Sequence, residues 1–139
     1  MSDRLPLFIP ERDAEWRSRL TPLQYHVTRE AGTERPNTGL LNMEESEGSY
    51  YCVCCGHILF TAEMKCNSGC GWPAFHAEHS AAGIRRLTDR SLGRVRVEVR
   101  CGSCDSHLGH VFEDGPIEFG GERYCINSAS MDFIPEEDA

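Results

Sequence analysis

The sequence lacks any long apolar run, and no stretch approaches the roughly 18 apolar residues that a membrane-spanning helix needs. Its N-terminus, MSDRLPLFIPERDAEW, mixes charges and prolines with apolar residues and offers no apolar core of a signal peptide. Low-complexity tracts and internal repeats are also missing. These absences predict a protein with no membrane partner that stays in the cytoplasm.

Basic residues are scarce, with 14 Lys and Arg against 22 Asp and Glu, for a formal net charge of −8. Binding to nucleic acid phosphates needs clustered Lys and Arg, so we expect no nucleic-acid partner. A length of 139 residues with 40% hydrophobic residues is typical of one globular domain. We therefore expect a single, monomeric domain over residues 1–139, with flexible ends at roughly 1–10 and 134–139.

Two short helices are predicted at the N-terminal side, in RDAEWRSRL (12–20) and TPLQYHVTREAG (21–32). Thr21 can cap the second helix with Pro22 in its first turn, and Gly32 can end it. The polar residues 33–48, with several glycines and prolines, predict a loop.

Beyond this loop the pattern changes to strands. SYYCVC and HILF flank a cysteine turn, and HLGHVF and RYCINSASMDF follow as further strands. RVRVEVR alternates Val95, Val97 and Val99 with charged residues, which predicts a half-buried strand. The pattern indicates a mainly antiparallel β fold with small N-terminal helices.

Eight cysteines are many for this length. Because thiols stay reduced in the cytoplasm, metal binding and catalysis are favoured over a disulfide framework. Two CxxC turns, Cys52 with Cys55 and Cys101 with Cys104, supply four thiolates for a closed, tetrahedral, structural Zn²⁺ site. Two redox-active pairs or free buried thiols are the alternatives, but a thioredoxin-like CxxC should open a helix, and both pairs lie between predicted strands.

Cys125 in RYCIN is the candidate nucleophile. In a strand, Arg123, Cys125 and Asn127 share one face while Tyr124 and Ile126 point into the core. A neighbouring guanidinium favours the thiolate, the form that attacks an electrophile. A purely structural thiol is the competing interpretation of this stretch alone.

Two further segments carry chemistry. His107 and His110 in SHLGH can reach one pocket as proton donors only if Gly109 permits a bulge or turn. In CNSGCGWPAF, glycines and Pro73 fix Trp72 either as a wall for an apolar group or as part of the core, with Cys70 nearby as a second redox thiol.

These motifs together resemble one family. LTPLQYHVTREAGTERPNTG, the first CxxC, SGCGWPAF, RCGSCDSHLGHVFEDGP and GERYCINSASMDF are similar to the methionine-R-sulfoxide reductases, the B-type enzymes that repair one epimer of oxidised methionine. The resemblance covers nearly the whole chain. It implies two antiparallel sheets, with a zinc site remote from the chemistry.

The resemblance also implies roles for single residues. Cys125 attacks the sulfoxide sulfur and becomes a sulfenic acid, while His107 and His110, through an ordered water, protonate the leaving oxygen. Arg123 and Asn127 orient the site, and Trp72 packs against the substrate methyl group. Cys70 then condenses with Cys125 to a disulfide that thioredoxin reduces. Substrates are methionine-R-sulfoxide residues in proteins or the free amino acid.

Cys66 and Cys54 depart from the family pattern, so Cys66, a relay of Cys66 and Cys70, or Cys54 stay open as the recycling thiol. A zinc-stapled binding module is the rival from another class, and it predicts that nothing in GWP and SHLGH converges on Cys125. A cysteine hydrolase built on Cys125, His110 and Asn127 is a second rival. Spare thiols have no role in hydrolysis, which disfavours it.

Overall fold

The computed structural model describes residues 10–66 and 69–136, in which two helices precede nine strands. The predicted fold class, mainly β with two antiparallel sheets, is confirmed. No helix among these residues is long and apolar enough to cross a bilayer. The elements are α1 (Pro10–Arg19), α2 (Pro22–Arg29), β1 (Gly48–Cys52), β2 (Ile58–Thr61), β3 (Lys65–Cys66), β4 (Ala74–Phe75), β5 (Arg85–Asp89), β6 (Arg96–Arg100), β7 (His107–Phe112), β8 (Arg123–Ile126) and β9 (Met131–Pro135).

The start of α2 follows the prediction. Thr21 Oγ1 accepts a hydrogen bond from the Gln24 backbone N–H at 3.1 Å, and Gln24 Oε1 accepts one from the Thr21 N–H at 2.8 Å, which forms a capping box. The end of the helix differs from the prediction, because Ala31 and not Gly32 has the left-handed backbone, with φ of 57°. The Gly32 N–H instead donates to the His26 carbonyl at 2.9 Å.

The smaller sheet has the strand order β2-β1-β9 and the larger sheet has the order β3-β4-β8-β7-β6-β5. The segment RYCINSASMDF does not form one strand. A 3-10 turn over Ser128–Ser130 divides it into β8 of the larger sheet and β9 of the smaller one. The chain therefore passes from one sheet to the other directly after the candidate nucleophile.

Aromatic side chains from both sheets fill the core. Phe60 stacks on Phe75 with ring centroids 4.0 Å apart. Tyr50 packs edge-on against Phe75 at 5.0 Å between centroids. Tyr124 packs edge-on against Phe60 at 5.7 Å. Burial of each such side chain contributes about 1.5–3 kcal/mol. Because Tyr124 is held in this core, the next residue along β8, Cys125, faces the opposite side of the sheet.

The prediction that Val95, Val97 and Val99 form the buried face of a strand is only partly correct for β6. Val99 is fully buried, but Val97 is 37% exposed and Val95, which precedes the strand, is 68% exposed. The opposite face carries the buried Glu98, whose carboxylate is held by hydrogen bonds from Arg100 and His107. Because these hydrogen bonds replace those that water would make, the Glu98 carboxylate can be buried with its charge.

The predicted flexible ends extend beyond the described residues. At the C-terminus, the predicted range 134–139 overlaps β9 at Ile134 and Pro135. Residues 1–9 and 137–139 lie outside the described part of the chain.

Candidate active site and cysteine cluster

The Sγ atoms of the four predicted zinc ligands, Cys52, Cys55, Cys101 and Cys104, all lie within 4.8 Å of one another. Cys52 to Cys104 and Cys55 to Cys101 are both 3.6 Å between Sγ atoms. Four sulfurs at about 2.3 Å from a tetrahedral Zn²⁺ lie about 3.8 Å apart, so this donor set fits the metal. The neighbouring Cys54 is buried but does not belong to this group.

The two cysteine turns share one backbone geometry. The Gly56 N–H donates to the Cys52 carbonyl, and the Asp105 N–H donates to the Cys101 carbonyl, each at 2.8 Å. Gly56 and Asp105 both have positive φ, at 76° and 65°. The second turn therefore uses an aspartate where the first uses a glycine, and aspartate is one of the few other residues that tolerate this conformation.

Arg29 of α2 lies beside the cluster, and the sequence did not single it out. Its side chain is nearly fully buried, and its guanidinium donates to Ser106 Oγ and to the Cys104 carbonyl, each at 3.1 Å. Nη1 is also 3.9 Å from Cys104 Sγ. A buried cation here would offset the excess negative charge of four thiolates around a bound dication.

A separate pocket of about 210 Å³ opens on the larger sheet. None of the four clustered cysteines lines it among the described residues. Six of the predicted site residues do, namely Cys70, Trp72, His110, Arg123, Cys125 and Asn127. His107 and the alternative recycling thiol Cys66 are not among the lining residues, and the His107 ring lies 5.7 Å from the His110 ring between centroids.

Strand pairing places the reactive groups in one row. His110 and Cys125 are direct partners between β7 and β8, and Glu98 pairs with His110 on the other side. Ala74 pairs with Cys125, and Cys66 pairs with Ala74. Directly paired residues of antiparallel strands share a face. The candidate nucleophile Cys125 and His110 are therefore adjacent on one face of the sheet.

Cys70 lies much closer to Cys125 than Cys66 can. The Cys70 and Cys125 Sγ atoms are 3.6 Å apart. Strand β4 separates Cys66 from Cys125, and two strand spacings amount to about 10 Å. A disulfide needs Cα atoms about 4.4–6.8 Å apart, so Cys66 could bridge Cys125 only after strand movement.

The electrostatics of Cys125 contradict the expectation of a favoured thiolate. Burial and the adjacent Cys70 thiol raise the pKa of Cys125 to about 12, against the opposing influence of Arg123. Arg123 Nε donates to Asp114 Oδ1 at 2.8 Å, and this ion pair neutralises part of its charge. Desolvation of the thiolate therefore outweighs the guanidinium.

The two histidines come together through the expected irregularity in β7. Val99 pairs with Gly109 and Arg100 pairs with His107, so Leu108 is the extra residue of a β-bulge. A Cβ on Gly109 would lie 2.0 Å from the Cys125 carbonyl oxygen, which explains the glycine at this position. The bulge turns His107 and His110 towards each other.

Each histidine is oriented by a carboxylate. His110 Nε2 lies 2.8 Å from Asp89 Oδ2, and His107 Nδ1 lies 2.7 Å from Glu98 Oε2. Burial lowers the pKa of His110 although Asp89 opposes this, which favours the neutral ring. Burial disfavours the Glu98 carboxylate, but hydrogen bonds from His107 and Arg100 outweigh it and bring its pKa to about 2.

Glu34 in the loop after α2 holds two other pocket residues. Its carbonyl accepts a hydrogen bond from Trp72 Nε1 at 2.9 Å, and its N–H donates to Asn127 Oδ1 at 2.9 Å. The Glu34 carboxylate accepts from the backbone N–H groups of Ser128 and Ala129 at 2.9 and 2.8 Å. Trp72 and Asn127 are thus fixed in place before any substrate binds.

Sequence reasoning missed Glu34, Asp89 and Glu98. Acidic residues are common in this chain, and no local pattern distinguishes these three. Strand pairing and loop packing bring them to the site from distant positions. An acidic residue within a predicted strand, such as Glu98, was the one available signal.

The chain is similar to known proteins over most of its length. The SelR domain model matches residues 20–135. A peptide methionine sulfoxide reductase MsrB of Chromohalobacter salexigens is 53% identical over 129 residues, covering 93% of this chain and 97% of that protein. The MsrB of Burkholderia thailandensis is 53% identical over 124 residues, covering 89% and 87%. Among solved structures, the Mis18 Yippee-like domain aligns with a TM-score of 0.50 at 17% identity, over 63% of this chain and 95% of that one, a likeness of fold alone.

Proposed function

The chain belongs to the SelR domain family, and we propose that it is a thiol-dependent reductase specific for methionine-R-sulfoxide, free or in proteins. It is an oxidoreductase that acts on methionine sulfoxide, as its curated relatives are. The observation that carries the finer proposal is the pair of thiols, Cys70 and Cys125, 3.6 Å apart beside His110 in one pocket. We propose a single domain over residues 1–139, monomeric and cytoplasmic.

In the first step Cys125 attacks the sulfoxide sulfur and the S–O oxygen is transferred to it. Methionine leaves, and Cys125 becomes a sulfenic acid, so that sulfur is reduced in the substrate and oxidised in the enzyme. The pKa of about 12 means that the resting thiol keeps its proton. The nucleophile therefore has to lose this proton as it attacks.

His110 is suited to move that proton. Its Nε2 is engaged by Asp89, which leaves Nδ1 as the proton acceptor of a neutral ring. A lowered pKa keeps the ring able to accept the Cys125 proton and to deliver it to the sulfoxide oxygen. His107, held by Glu98, packs edge-on against this ring with centroids 5.7 Å apart and supports it from one side.

Pocket shape supports selection of one epimer. The sulfoxide sulfur is pyramidal and carries an oxygen, a methyl group and the rest of the methionine side chain. With the sulfur facing Cys125, the oxygen should face His110 and the methyl group should face the aromatic wall of Trp72 and Phe112. The opposite epimer would exchange oxygen and methyl, and would place a polar group on the aromatic wall.

Recycling follows through Cys70. Its thiol attacks the sulfenic sulfur of Cys125, releases water and forms a disulfide. Two electrons from the dithiol of thioredoxin then restore both thiols. The 3.6 Å separation supports Cys70 over Cys66 for this first disulfide, and a later exchange with Cys66 stays open.

Zn²⁺ would be held by Cys52, Cys55, Cys101 and Cys104, where it would supply a fixed tetrahedral junction. The two turns precede β2 and β7 respectively. The chain contributes the buried Arg29 beside the thiolates. The proposed role is structural because all four positions are filled by protein ligands.

Both rival functions are disfavoured. A binding module with an inert Cys125 predicts no convergence on that residue, whereas Cys70, Trp72 and His110 line its pocket. A hydrolase with Asn127 behind the histidine is disfavoured because Asn127 binds the backbone of Glu34 and Leu108 instead. Asp89 is the residue that orients His110.

The proposal is tested by one turnover without added reductant. Reduced wild-type protein should form one equivalent of methionine and one Cys70–Cys125 disulfide. Trypsin cleavage after Lys65 and Arg85 leaves Cys66 and Cys70 in the same peptide, so the Cys66→Ser variant is needed to assign the bond. That variant should still link peptide 66–85 to peptide 124–139, and its failure to do so would contradict the role of Cys70.

A further inference from the structure

The mouth of the active-site pocket is cationic although the whole chain is acidic. The charged residues that line it within the described part of the chain are Arg94, Arg96 and Arg123, with no carboxylate among the lining residues. The formal net charge of the chain is −8. A concentration of guanidinium groups at this one opening therefore favours ligands that carry negative charge.

Two of the three guanidinium groups are already paired. Arg96 Nη2 lies 3.3 Å from Asp89 Oδ2, and Arg123 binds both carboxylate oxygens of Asp114, at 2.8 and 3.2 Å. These two arginines have partial compensation for their charge. Their role is to hold the pocket walls.

Arg94 differs from both. Its side chain is exposed, and within residues 10–66 and 69–136 it has no ion pair with a carboxylate and no side-chain hydrogen bond. Its backbone is anchored nevertheless, since its N–H donates to the Ser91 carbonyl at 3.2 Å at the end of the 3-10 turn Ser91–Gly93. The structure thus has a fixed backbone at the pocket mouth that carries an uncommitted guanidinium.

We propose that Arg94 binds a carboxylate next to the oxidised methionine side chain of the substrate. This inference rests on the proposed function, because a sulfoxide at Cys125 places the substrate backbone at the pocket mouth. A guanidinium pairs with a carboxylate through two parallel hydrogen bonds, which gives direction as well as attraction. The enzyme therefore prefers substrates with a negative charge beside the sulfoxide.

Two sources can supply the carboxylate. One is the α-carboxylate of methionine sulfoxide itself, as in the free amino acid or at a chain terminus. The other is an aspartate or glutamate side chain next to methionine sulfoxide in a protein. Both present the same group to Arg94, at different distances from the sulfur.

Matched substrates separate these sources. One pair is N-acetyl-methionine-R-sulfoxide and its carboxamide. The other is a blocked pentapeptide with glutamate or glutamine after the methionine-R-sulfoxide. For each pair, kcat/KM of the charged member is divided by that of the neutral member, with dithiothreitol as reductant. The enzymes are wild type, Arg94→Gln, Arg94→Lys, and the control Arg90→Gln, whose side chain is outside the pocket lining.

The charged member of at least one pair should be preferred by wild type, and Arg94→Gln should reduce that preference by about three- to tenfold through KM. Arg94→Lys should keep part of it, and Arg90→Gln should keep all of it. Loss in the first pair assigns the α-carboxylate, and loss in the second assigns an acidic neighbour. An unchanged ratio in Arg94→Gln, or an equal loss in Arg90→Gln, would overturn the proposal.

The same substrates distinguish an error in the proposed reductase function from an error in the Arg94 proposal. If wild type does not reduce even the neutral carboxamide, the reductase assignment itself is wrong and the Arg94 site falls with it. If wild type reduces the neutral substrates and shows no charge preference, only the Arg94 proposal is wrong.

Discussion

The Sγ atom of Cys70 lies 3.6 Å from the Sγ atom of Cys125, although 55 positions separate the two residues in the sequence. Cys70 precedes β4 and Cys125 lies in β8, and the pairing of these strands brings the two thiols to one pocket. Closure of a disulfide needs an S–S distance of about 2.05 Å. A movement of less than two ångströms at the sulfurs therefore suffices for the recycling step.

Replacement of either thiol should separate the two halves of the reaction. Cys125→Ser should release no methionine even in a single turnover, because the sulfur that attacks the sulfoxide is gone and Cys70 serves only to resolve the sulfenic acid. Cys70→Ser should release one equivalent of methionine and then stop with thioredoxin as reductant. Quantification of methionine by chromatography checks both.

Cys66→Ser is the matched control for these variants. It should form the Cys70–Cys125 disulfide as wild type does, whatever its later cycling rate. Methionine release by Cys125→Ser would show that another residue is the nucleophile. Full thioredoxin-dependent cycling by Cys70→Ser would transfer the recycling role to Cys66 or Cys54.

The thiol of Cys125 should become more acidic when Cys70 is removed. Burial and Cys70 both raise the pKa of Cys125, so Cys70→Ser should lower it from about 12 while leaving the burial effect in place. In wild type, alkylation of Cys125 by iodoacetamide should rise about tenfold per pH unit between pH 7 and 10, as the thiolate fraction does below a pKa.

In Cys70→Ser, the same alkylation should be faster at each of these pH values and should level off at a lower pH. The tryptic peptide 124–139 contains only Cys125 and reports its modification by mass spectrometry. Cys66→Ser should follow the wild-type curve. A Cys70→Ser curve that coincides with wild type would contradict the assigned cause of the shift.

His110 should be needed for proton movement at neutral pH. His110→Asn should lower kcat by about 10²- to 10⁴-fold, the usual contribution of a positioned acid or base. Asp89→Asn should have a smaller effect, and because Asp89 raises the pKa of His110, its loss should move that pKa further down. The acidic limb of the pH–rate profile should then shift to lower pH.

The exposed His26, which lies outside the pocket, provides the control. His26→Asn should leave the pH–rate profile unchanged. An unchanged kcat in His110→Asn would refute the proton transfer role. An upward shift of the acidic limb in Asp89→Asn would refute the role assigned to the ion pair.

Metal content tests the cysteine cluster. Purified protein should hold one zinc ion per chain, and Cys55→Ser should lose it because three thiolates no longer close the tetrahedron. Loss of the metal should lower the thermal midpoint by more than about 10 °C, since structural zinc binding contributes directly to folding.

The adjacent Cys54→Ser should keep both the zinc and the midpoint within a few degrees, because Cys54 is outside the group of four. Zinc is measured by atomic emission and the midpoint by circular dichroism. If wild-type protein loses its zinc and its thermal midpoint stays the same as that of the zinc-containing protein, the structural role of the metal is contradicted.

Local patterns predicted the parts of this molecule that depend on spacing along the chain. The two CxxC turns and the face shared by Arg123 and Cys125 follow from turn geometry and strand alternation, and the structure has both. The expected bulge in β7 follows from the positions of two histidines around a glycine. Each of these features is set by residues within a few positions of one another.

Features that depend on contacts between distant segments were either not predicted from the sequence or predicted wrongly. The prediction that Arg123 favours the Cys125 thiolate was wrong. Arg123 is only one of several influences on the pKa of Cys125, and burial beside Cys70 outweighs it. Asp89 reaches His110 from β5, and Glu34 reaches Trp72 from a loop that has no regular structure. Pairing across a sheet and loop packing fix these contacts, and neither leaves a periodic signal in the sequence.

The most direct test of the central claim is steady-state reduction of the separated R and S epimers of a blocked methionine sulfoxide. Thioredoxin, thioredoxin reductase and NADPH serve as the reducing system, with dithiothreitol in a parallel series. We expect turnover of the R epimer alone in both series. Reduction of the S epimer at a comparable rate, or of neither epimer in either series, would contradict it.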